Sequence, residues 1–218
     1  TIVTEICTGK KECIKDDWSF HQHGPQQQFG NYGLAYISSM SLFSGLFAET
    51  SMAFSDEQLD IIGSLLDKGY QWVIWKGNMD ISALGRQLFR SAPEHKALGA
   101  AFAAAELGGG DNRFCNEVAE KVMRNCFSPK NSLVGHKHFW QSDYTLMRQP
   151  AWMASLKMAS TRVLGTESMN GDNKKGYYLG DGALFVYGTG QEYLNIFPVW
   201  DWRKVPGVTT YESDAVMP

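Results

Sequence analysis

The sequence changes character near residue 130, and this change restricts the architectures that the chain can adopt. Before it, apolar residues recur every 3.6 positions, as in residues 59–66, which follow a capping box formed by Ser55 and Gln58. After it, short aromatic and β-branched runs are separated by strong turn signals at residues 171–173 and 180–182. Helices followed by strands argue against an alternating βαβ sheet. We therefore predict helices first and antiparallel β structure afterwards.

The predicted elements divide the chain into an N-terminal helical part, residues 1–130, and a C-terminal antiparallel sheet part, residues 131–218. The sequence predicts helices over 32–54, 55–69, 81–89, 94–107 and 112–126, and strands over 135–142, 151–161, 175–179, 183–188 and 200–203. Pro93 is typical of a helix start, and the glycines at 108–110 of a helix end.

Composition and charge exclude several classes of protein. Among 218 residues, 20 Lys and Arg oppose 23 Asp and Glu, which gives a net charge of −3. This balance argues against a nucleic-acid binder, because phosphate neutralisation requires clustered basic residues. The sequence has no apolar run of the ~18 residues that a membrane span needs. The chain begins at Thr1 with no initiator Met and no signal-peptide pattern, so we expect a processed protein or a piece of a longer one.

The cysteines and histidines do not predict a metal site. The four cysteines form no CxxC motif, and they either pair as Cys7–Cys13 and Cys115–Cys126 or stay reduced. Two histidine pairs have a spacing of two, which on a strand places both side chains on one face: His21 with His23, and His136 with His138. No Asp or Glu lies close to either pair in the sequence as a third ligand, so we expect no metal there.

Three segments carry the residue types of a binding or catalytic site. Residues 18–33 form a Gln-rich, aromatic loop before a helix. In residues 76–90, Arg86 and Arg90 share one face if the segment is helical, where they could hold a carboxylate or sulfate unless Asp80 pairs with one of them. In residues 165–176, a Glu and two Asn flank a turn, a pattern that also fits a solvated hairpin tip.

Together these segments resemble polysaccharide lyase family 8, the bacterial lyases that degrade chondroitin and hyaluronan. The similarity extends from about Asp16 to Glu212 and includes the segments 18–33, 79–90, 166–182 and 197–209. The nine-residue gap from His23 to Tyr32 resembles the chondroitin AC lyases rather than the ABC type. The resemblance implies a multidomain α+β fold, in which the C-terminal part of an α/α toroid precedes the start of an antiparallel β-sandwich domain.

The resemblance also implies roles for individual residues. It assigns four catalytic residues, His23, Tyr32, Arg86 and Glu167, and four substrate-binding residues, Arg90, Asn170, Gln26 and Gln28. Arg86 would hydrogen-bond the Tyr32 hydroxyl, and Glu167 would orient Arg86 and His23. The implied reaction is β-elimination at a 4-linked uronate, which requires removal of a poorly acidic C5 proton. A tyrosine suits this task because a neighbouring cation lowers the pKa of a phenol.

The resemblance further implies no required cofactor, an anionic polysaccharide as partner, and no nucleic-acid or membrane partner. The remaining toroid and sheet segments of a full-length enzyme would be further partners, and the location would be secreted or periplasmic. Two features depart from the family. The upstream Asn that neutralises the uronate carboxylate has no counterpart among the 22 residues before His23. Near the family's calcium position, Asp201 and Glu212 offer oxygen ligands, but Arg203 stands where an acidic ligand is expected.

Three alternatives remain open at the level of sequence. A non-catalytic glycan-binding protein could retain a lyase scaffold, and the missing Asn favours this reading. A xanthan-type lyase would belong to the same family. A glycoside hydrolase would need two carboxylates flanking the bond, whereas only Glu167 lies in the matched positions.

Overall fold

The computed structural model describes residues 6–129 and 132–211. Five α-helices occupy the first part: α1 Leu34–Leu46, α2 Asp56–Leu65, α3 Gln71–Val73, α4 Ala92–Leu107 and α5 Arg113–Phe127. π-Helical turns at Phe29–Gly33 and Leu66–Tyr70 precede α1 and α3. This part also contains two short antiparallel strand pairs: β1 Cys13–Ile14 with β2 Phe20–His21, and β3 Ile74–Trp75 with β4 Asn78–Met79. The predicted boundary at 130/131 lies outside the described residues. Among the described residues, no helix is long and apolar enough to cross a membrane.

The capping box predicted at Ser55 is present and begins α2. The Ser55 hydroxyl accepts from the Gln58 backbone N–H at 3.3 Å, and the Gln58 side chain accepts from the Ser55 N–H at 2.9 Å. Both bonds satisfy N–H groups that the helix itself leaves without partners. Gly69 was predicted to end this helix, but the chain continues through Leu66–Tyr70 into α3.

Replacing Ser55 with Ala is expected to lower the free energy of unfolding by about 1 kcal/mol, the usual cost of losing an N-cap side chain. Chemical denaturation measures the change, with Ser51→Ala, in the exposed turn before α2, as the control. A loss no larger than that of the control would show that the cap contributes nothing to stability.

The C-terminal part is one antiparallel sheet in the order β5–β6–β7–β8: Gly135–Phe139, Tyr144–Arg148, Met153–Lys157 and Ala183–Tyr187. Alternate residues of β6, β7 and β8 are buried, as expected for a sheet with one face on the core. The sequence prediction missed β6 and wrongly assigned strands to 175–179 and 200–203. Those residues form a 3₁₀ turn, Tyr177–Gly180, and an irregular segment with turns.

Buried polar side chains join the sheet to the helices. Asp80 is fully buried and accepts hydrogen bonds from Tyr187 at 2.6 Å and Ser155 at 2.8 Å, and also from the Tyr144 hydroxyl. It pairs with neither arginine, contrary to one sequence interpretation. Arg148 of β6 is also fully buried and donates to backbone carbonyls of the helical part, including that of Ile74 at 2.8 Å. These bonds fix the relative position of the two parts.

Cys7, Cys115 and Cys126 are free thiols in the structure, so neither of the disulfides considered from the sequence is formed. Cys115 and Cys126 lie eleven residues apart on α5, which separates their Cα atoms by about 16 Å at 1.5 Å per residue, too far for a disulfide. Burial raises the pKa of these thiols to about 11 for Cys115 and about 12 for Cys126. They act as small apolar side chains of the core.

Candidate active site

Tyr32 lies in the π-helical turn Phe29–Gly33, directly before α1. Glycines allow this wide turn to pack against its neighbours. A Cβ atom on Gly30 would lie 2.6 Å from the Leu84 carbonyl oxygen, and one on Gly33 would lie 2.9 Å from that of Gln28. π-Helical turns are rare and often mark functional positions. Here the turn leaves the Tyr32 ring half-buried at the edge of a cavity.

His23 lies in the loop that follows β2 and has an unusual backbone conformation. His23 and Gly24 both have positive φ, 61° and 86°, which side-chain-bearing residues seldom adopt. The Glu12 carboxylate accepts from the Gly24 N–H at 2.8 Å and from the Gln22 amide at 2.7 Å, and these bonds hold the loop. As a result the His23 ring meets the Tyr32 ring edge-on, with centroids 4.7 Å apart.

Arg86 joins Tyr32 to Glu167. The residues before it form only a short 3₁₀ turn, Ile81–Ala83, so the predicted helix over 81–89 is wrong. Arg86 Nη1 donates to the Tyr32 hydroxyl at 3.3 Å and also to Glu167 Oε2. These two bonds raise the pKa of Arg86. Its Nε has no hydrogen-bond partner among the described residues, and Asp172 Oδ2 lies 3.7 Å from it.

Glu167 is the acceptor at the centre of the site. It belongs to the irregular segment between β7 and β8, and only 6% of it is exposed, so the interpretation of this segment as a solvated hairpin tip is wrong for Glu167. Its Oε1 accepts from His23 Nδ1 at 2.6 Å, and its Oε2 accepts from Arg86 and from Gln28 Nε2 at 3.2 Å. Burial opposes ionisation, but the bonds from Arg86, His23 and Gln28 outweigh it and lower the pKa of Glu167.

The ionised Glu167 determines which nitrogen of His23 is available. A carboxylate only accepts, so His23 Nδ1 carries the proton that Glu167 binds. In neutral His23, Nε2 therefore holds a lone pair, and in the imidazolium it becomes a second donor. The side chain of His23 is 40% exposed, so a ligand can reach part of the ring.

The residues predicted to bind substrate fall into two groups. Gln26 and Gln28 are buried next to the network: Gln28 donates to Gln26 Oε1 at 3.0 Å, and Gln26 donates to the Gly165 carbonyl at 2.6 Å. Gln28 has no exposed surface, and in the structure its side chain donates a hydrogen bond to Glu167. Arg90 and Asn170 are exposed, and the structure shows no bond from either to the four central residues within the described segments. The absence of a helix over 81–89 removes the shared face predicted for Arg86 and Arg90.

A cavity of about 790 Å³ opens beside Tyr32. Its volume lies in the range of small-molecule sites. Lys10, Lys11, Glu12, Phe20 and Tyr36 are among the residues that line it. Two lysines against one glutamate give this lining a net positive charge, which suits an anionic ligand.

Neither predicted histidine pair is arranged as a metal site. His21 Nε2 bonds Ser142 at 2.8 Å, away from the Glu167 carboxylate that holds His23, and His136 bonds Thr145 at 2.6 Å. Within residues 6–129 and 132–211, no three His, Cys, Asp or Glu side chains are grouped to hold a metal ion.

Of the two calcium candidates, only Asp201 lies in the described part of the chain. It lies 3.6 Å from the Lys204 ammonium and accepts from the Arg203 N–H at 3.2 Å. Glu212 lies outside the described residues, so a calcium ion held by this pair stays a prediction.

Sequence reasoning missed three residues that hold the site together: Glu12, Asp172 and Lys96. Glu12 and Asp172 are ordinary charged loop residues, and only their contacts in the fold distinguish them. The sequence does give a weak indication for Lys96. It is a charged residue on a face of α4 that otherwise consists of small apolar residues typical of a core.

Comparison with known proteins identifies the family of this chain. Polysaccharide lyase family 8 matches twice: its N-terminal α-helical domain matches residues 5–109, and its super-sandwich domain matches residues 134–217. The chondroitinase-AC of Pedobacter heparinus is 32% identical over 209 residues, which cover 92% of this chain and 29% of that protein. A hyaluronate lyase of Thermasporomyces composti is 24% identical over 230 residues, 88% of this chain and 30% of that protein.

The fold matches as well. A solved structure of chondroitinase AC lyase, known also in complexes with oligosaccharides, superposes with a TM-score of 0.76 at 28% identity and covers 94% of this chain and 31% of that one. The chain thus spans about 30% of the length of the curated relatives it matches. Toroid helices followed by the first strands of a sandwich are the architecture seen here. With both family domains matched in this order, the chain belongs to polysaccharide lyase family 8.

Proposed function

We propose that the protein containing this chain is a lyase that cleaves uronate-containing glycosaminoglycans by β-elimination, with chondroitin sulfate as the first candidate substrate and hyaluronan as the second. One observation carries the proposal: Arg86 holds the Tyr32 hydroxyl next to His23, and Glu167 binds both Arg86 and His23. The names of two relatives, a chondroitinase-AC and a hyaluronate lyase, support the choice of substrates.

The proposed reaction uses Tyr32 first as a base and then as an acid. The Tyr32 phenolate, stabilised by Arg86, takes the C5 proton of the uronate. The electron pair of the C5–H bond forms the C4–C5 double bond, and the C4–O bond breaks. The leaving oxygen takes the proton from Tyr32, which returns to phenolate. The products are an unsaturated uronate and a new hydroxyl end, with no water consumed.

The charges around Tyr32 suit the anion that this reaction must stabilise. Abstraction of a proton α to a carboxylate builds negative charge on that carboxylate, and donors around it lower the barrier. A protonated His23 would supply an Nε2–H donor on the C5 side, and Lys10 and Lys11 add positive charge along the cavity. The further Asn that family members use for this purpose has no counterpart upstream of His23 in this sequence.

The test is incubation of the complete gene product with chondroitin sulfate, hyaluronan and xanthan, followed by the ultraviolet absorbance of unsaturated uronate. A rise with chondroitin sulfate or hyaluronan is expected. A rise in absorbance with xanthan alone would show that xanthan, and not a glycosaminoglycan, is the substrate. No rise with any of the three polymers would contradict the proposed lyase activity. Retention of the polymer on the immobilised protein without product would instead identify a non-catalytic glycan-binding protein.

The arrangement of Glu167 disfavours a glycoside hydrolase. Hydrolysis needs one carboxyl group that stays protonated as a general acid and a second that faces it across the bond. Glu167 is kept ionised by its bonds to Arg86, His23 and Gln28, which makes it a poor acid. Saturated reducing ends, in place of unsaturated uronate, would reverse this conclusion.

We further propose that the reaction needs no cofactor and that the protein acts outside the cytoplasm, secreted or periplasmic, where polymeric glycosaminoglycans are encountered. Every proton transfer described above is made by a side chain of this chain. The rate is expected to be unchanged in excess EDTA, and cell fractionation measures the location. A rate that falls in EDTA and returns with calcium would show a metal requirement.

A further inference from the structure

Lys96 is a buried cation that none of the assigned roles explains. It lies on α4, is 4% exposed, and directs its ammonium group toward the site instead of toward solvent. It donates to the carbonyl oxygens of Gly30 at 2.7 Å and Leu84 at 3.0 Å, and to the side-chain oxygens of Asn31 and Gln87. A buried lysine is rare unless acceptors surround it, as they do here.

The acceptors belong to the two segments that carry Tyr32 and Arg86. Gly30 and Asn31 lie in the π-helical turn that contains Tyr32, whereas Leu84 and Gln87 flank Arg86. One ammonium group therefore bonds to both segments. Without the Lys96 ammonium, the Gly30 and Leu84 carbonyl oxygens would each lose a hydrogen-bond donor. The loss of a donor to a buried carbonyl oxygen is unfavourable.

The two segments touch so closely that a small shift would change their geometry. A Cβ atom on Gly30 would lie 2.6 Å from the Leu84 carbonyl oxygen, and one on Gly85 would lie 2.6 Å from the Asn31 side-chain nitrogen. Gly85 also has a positive φ of 75°, which fixes the turn immediately before Arg86. The two backbone segments are therefore in close contact, and the hydrogen bonds of Lys96 join one segment to the other.

We propose that Lys96 is a positioning residue, which ties the Tyr32 turn to the Arg86 turn and so keeps the Arg86 guanidinium within hydrogen-bonding distance of the Tyr32 hydroxyl. The buried charge carries a cost, since burial and then the charge of Arg86 lower the pKa of Lys96 to about 8. An apolar residue would avoid that cost but would supply no donor to the four oxygens. The proposal rests on the proposed function, because it concerns the geometry of the proposed base.

The test is Lys96→Met in the complete gene product, which keeps the length of the side chain and removes the donors. We expect kcat to fall about 10- to 100-fold with KM within about twofold, because misplacement near 1 Å costs this much. In a crystal structure of the variant, Arg86 Nη1 is expected to lie beyond hydrogen-bonding distance of the Tyr32 hydroxyl, against 3.3 Å here. An unchanged kcat, or an unchanged Arg86–Tyr32 distance, would overturn the proposal.

Lys157→Met is the matched control. Lys157 is 6% exposed, donates to the Ser142 carbonyl at 2.6 Å, and has its pKa lowered to about 8 by burial, but it contacts neither Tyr32 nor Arg86. It is expected to lower the melting temperature with kcat within about twofold. An equal loss of kcat in both variants would assign the effect of Lys96 to stability alone.

A second variant keeps the test decisive if Lys96→Met does not fold. Lys96→Gln retains two N–H donors on a shorter, neutral side chain, and its kcat is expected to fall in the same direction by about tenfold. The crystallographic distance does not depend on catalysis. If the unsubstituted protein shows no lyase activity, the proposed function fails, and the Arg86–Tyr32 distance alone decides the role of Lys96.

Discussion

Replacing Tyr32 with Phe is expected to abolish the formation of unsaturated uronate while leaving the fold intact. The proposed reaction uses the Tyr32 hydroxyl twice, to remove the C5 proton and to protonate the leaving oxygen. Each positioned proton transfer contributes about 10²–10⁴-fold to the rate, so the loss of both should reduce kcat by about 10³-fold or more. The measurement is the ultraviolet absorbance of the product under saturating chondroitin sulfate, with the complete gene product.

The fold should tolerate the change, because within the described residues the Tyr32 hydroxyl has one hydrogen bond, from Arg86 at 3.3 Å, and Arg86 also binds Glu167. Tyr193→Phe is the matched control: it also removes one hydroxyl, which accepts from the Val186 N–H of the edge strand β8 at 2.9 Å. The control should keep its kcat within about twofold and lose about 1 kcal/mol of stability. Residual activity in Tyr32→Phe above about a tenth of the original would remove Tyr32 from both roles.

The helical part was well predicted because its signals are local. The capping box at Ser55 depends on a residue three positions away, and Pro93 alone marks the first turn of α4. The prediction failed where a tertiary contact decides the conformation. Residues 81–89 have helical spacing, but Asp80 is anchored to the sheet and Gly85 adopts a positive φ, so the chain turns after Ile81–Ala83.

The site was predicted by resemblance more than by residue chemistry. Glu167 lies 144 residues from His23 and 81 from Arg86, and no periodicity links positions so far apart. On its own, the segment around Glu167 reads as a solvated turn, and its exposed Asn170 fits that reading. Burial of Glu167 follows from the packing of this loop against the His23 loop, where Leu164 N–H donates to the Pro25 carbonyl at 3.0 Å. The roles of Arg90 and Asn170 in substrate binding stay predictions.

Replacing Glu167 with Gln is the second change expected to have a large effect, since it preserves shape and removes the shared acceptor. Glu167 accepts from His23, Arg86 and Gln28 through two oxygens. Gln has one carbonyl oxygen, so its amide N–H₂ faces either the Arg86 guanidinium, donor against donor, or His23, whose proton must then move from Nδ1 to Nε2. We expect kcat to fall about 10²–10³-fold, the usual cost of losing one preorganised electrostatic contact, with a smaller change in KM.

The pH dependence of stability gives an independent readout of the same variant. The pKa of Glu167 is lower in the folded state than in the unfolded chain, so its stabilisation is present above the ordinary glutamate range and is lost as pH falls through the folded value. Acid should therefore destabilise the original protein more than Glu167→Gln. Glu192→Gln is the matched control. Backbone N–H groups of Gly188, Thr189 and Gly190 bind Glu192 and lower its pKa to about 2, and none of them belongs to the network around Tyr32. It should lose the same kind of acid-sensitive stability and keep its kcat. If Glu167→Gln retained full kcat as well, the network around Glu167 would serve folding and not the proposed elimination.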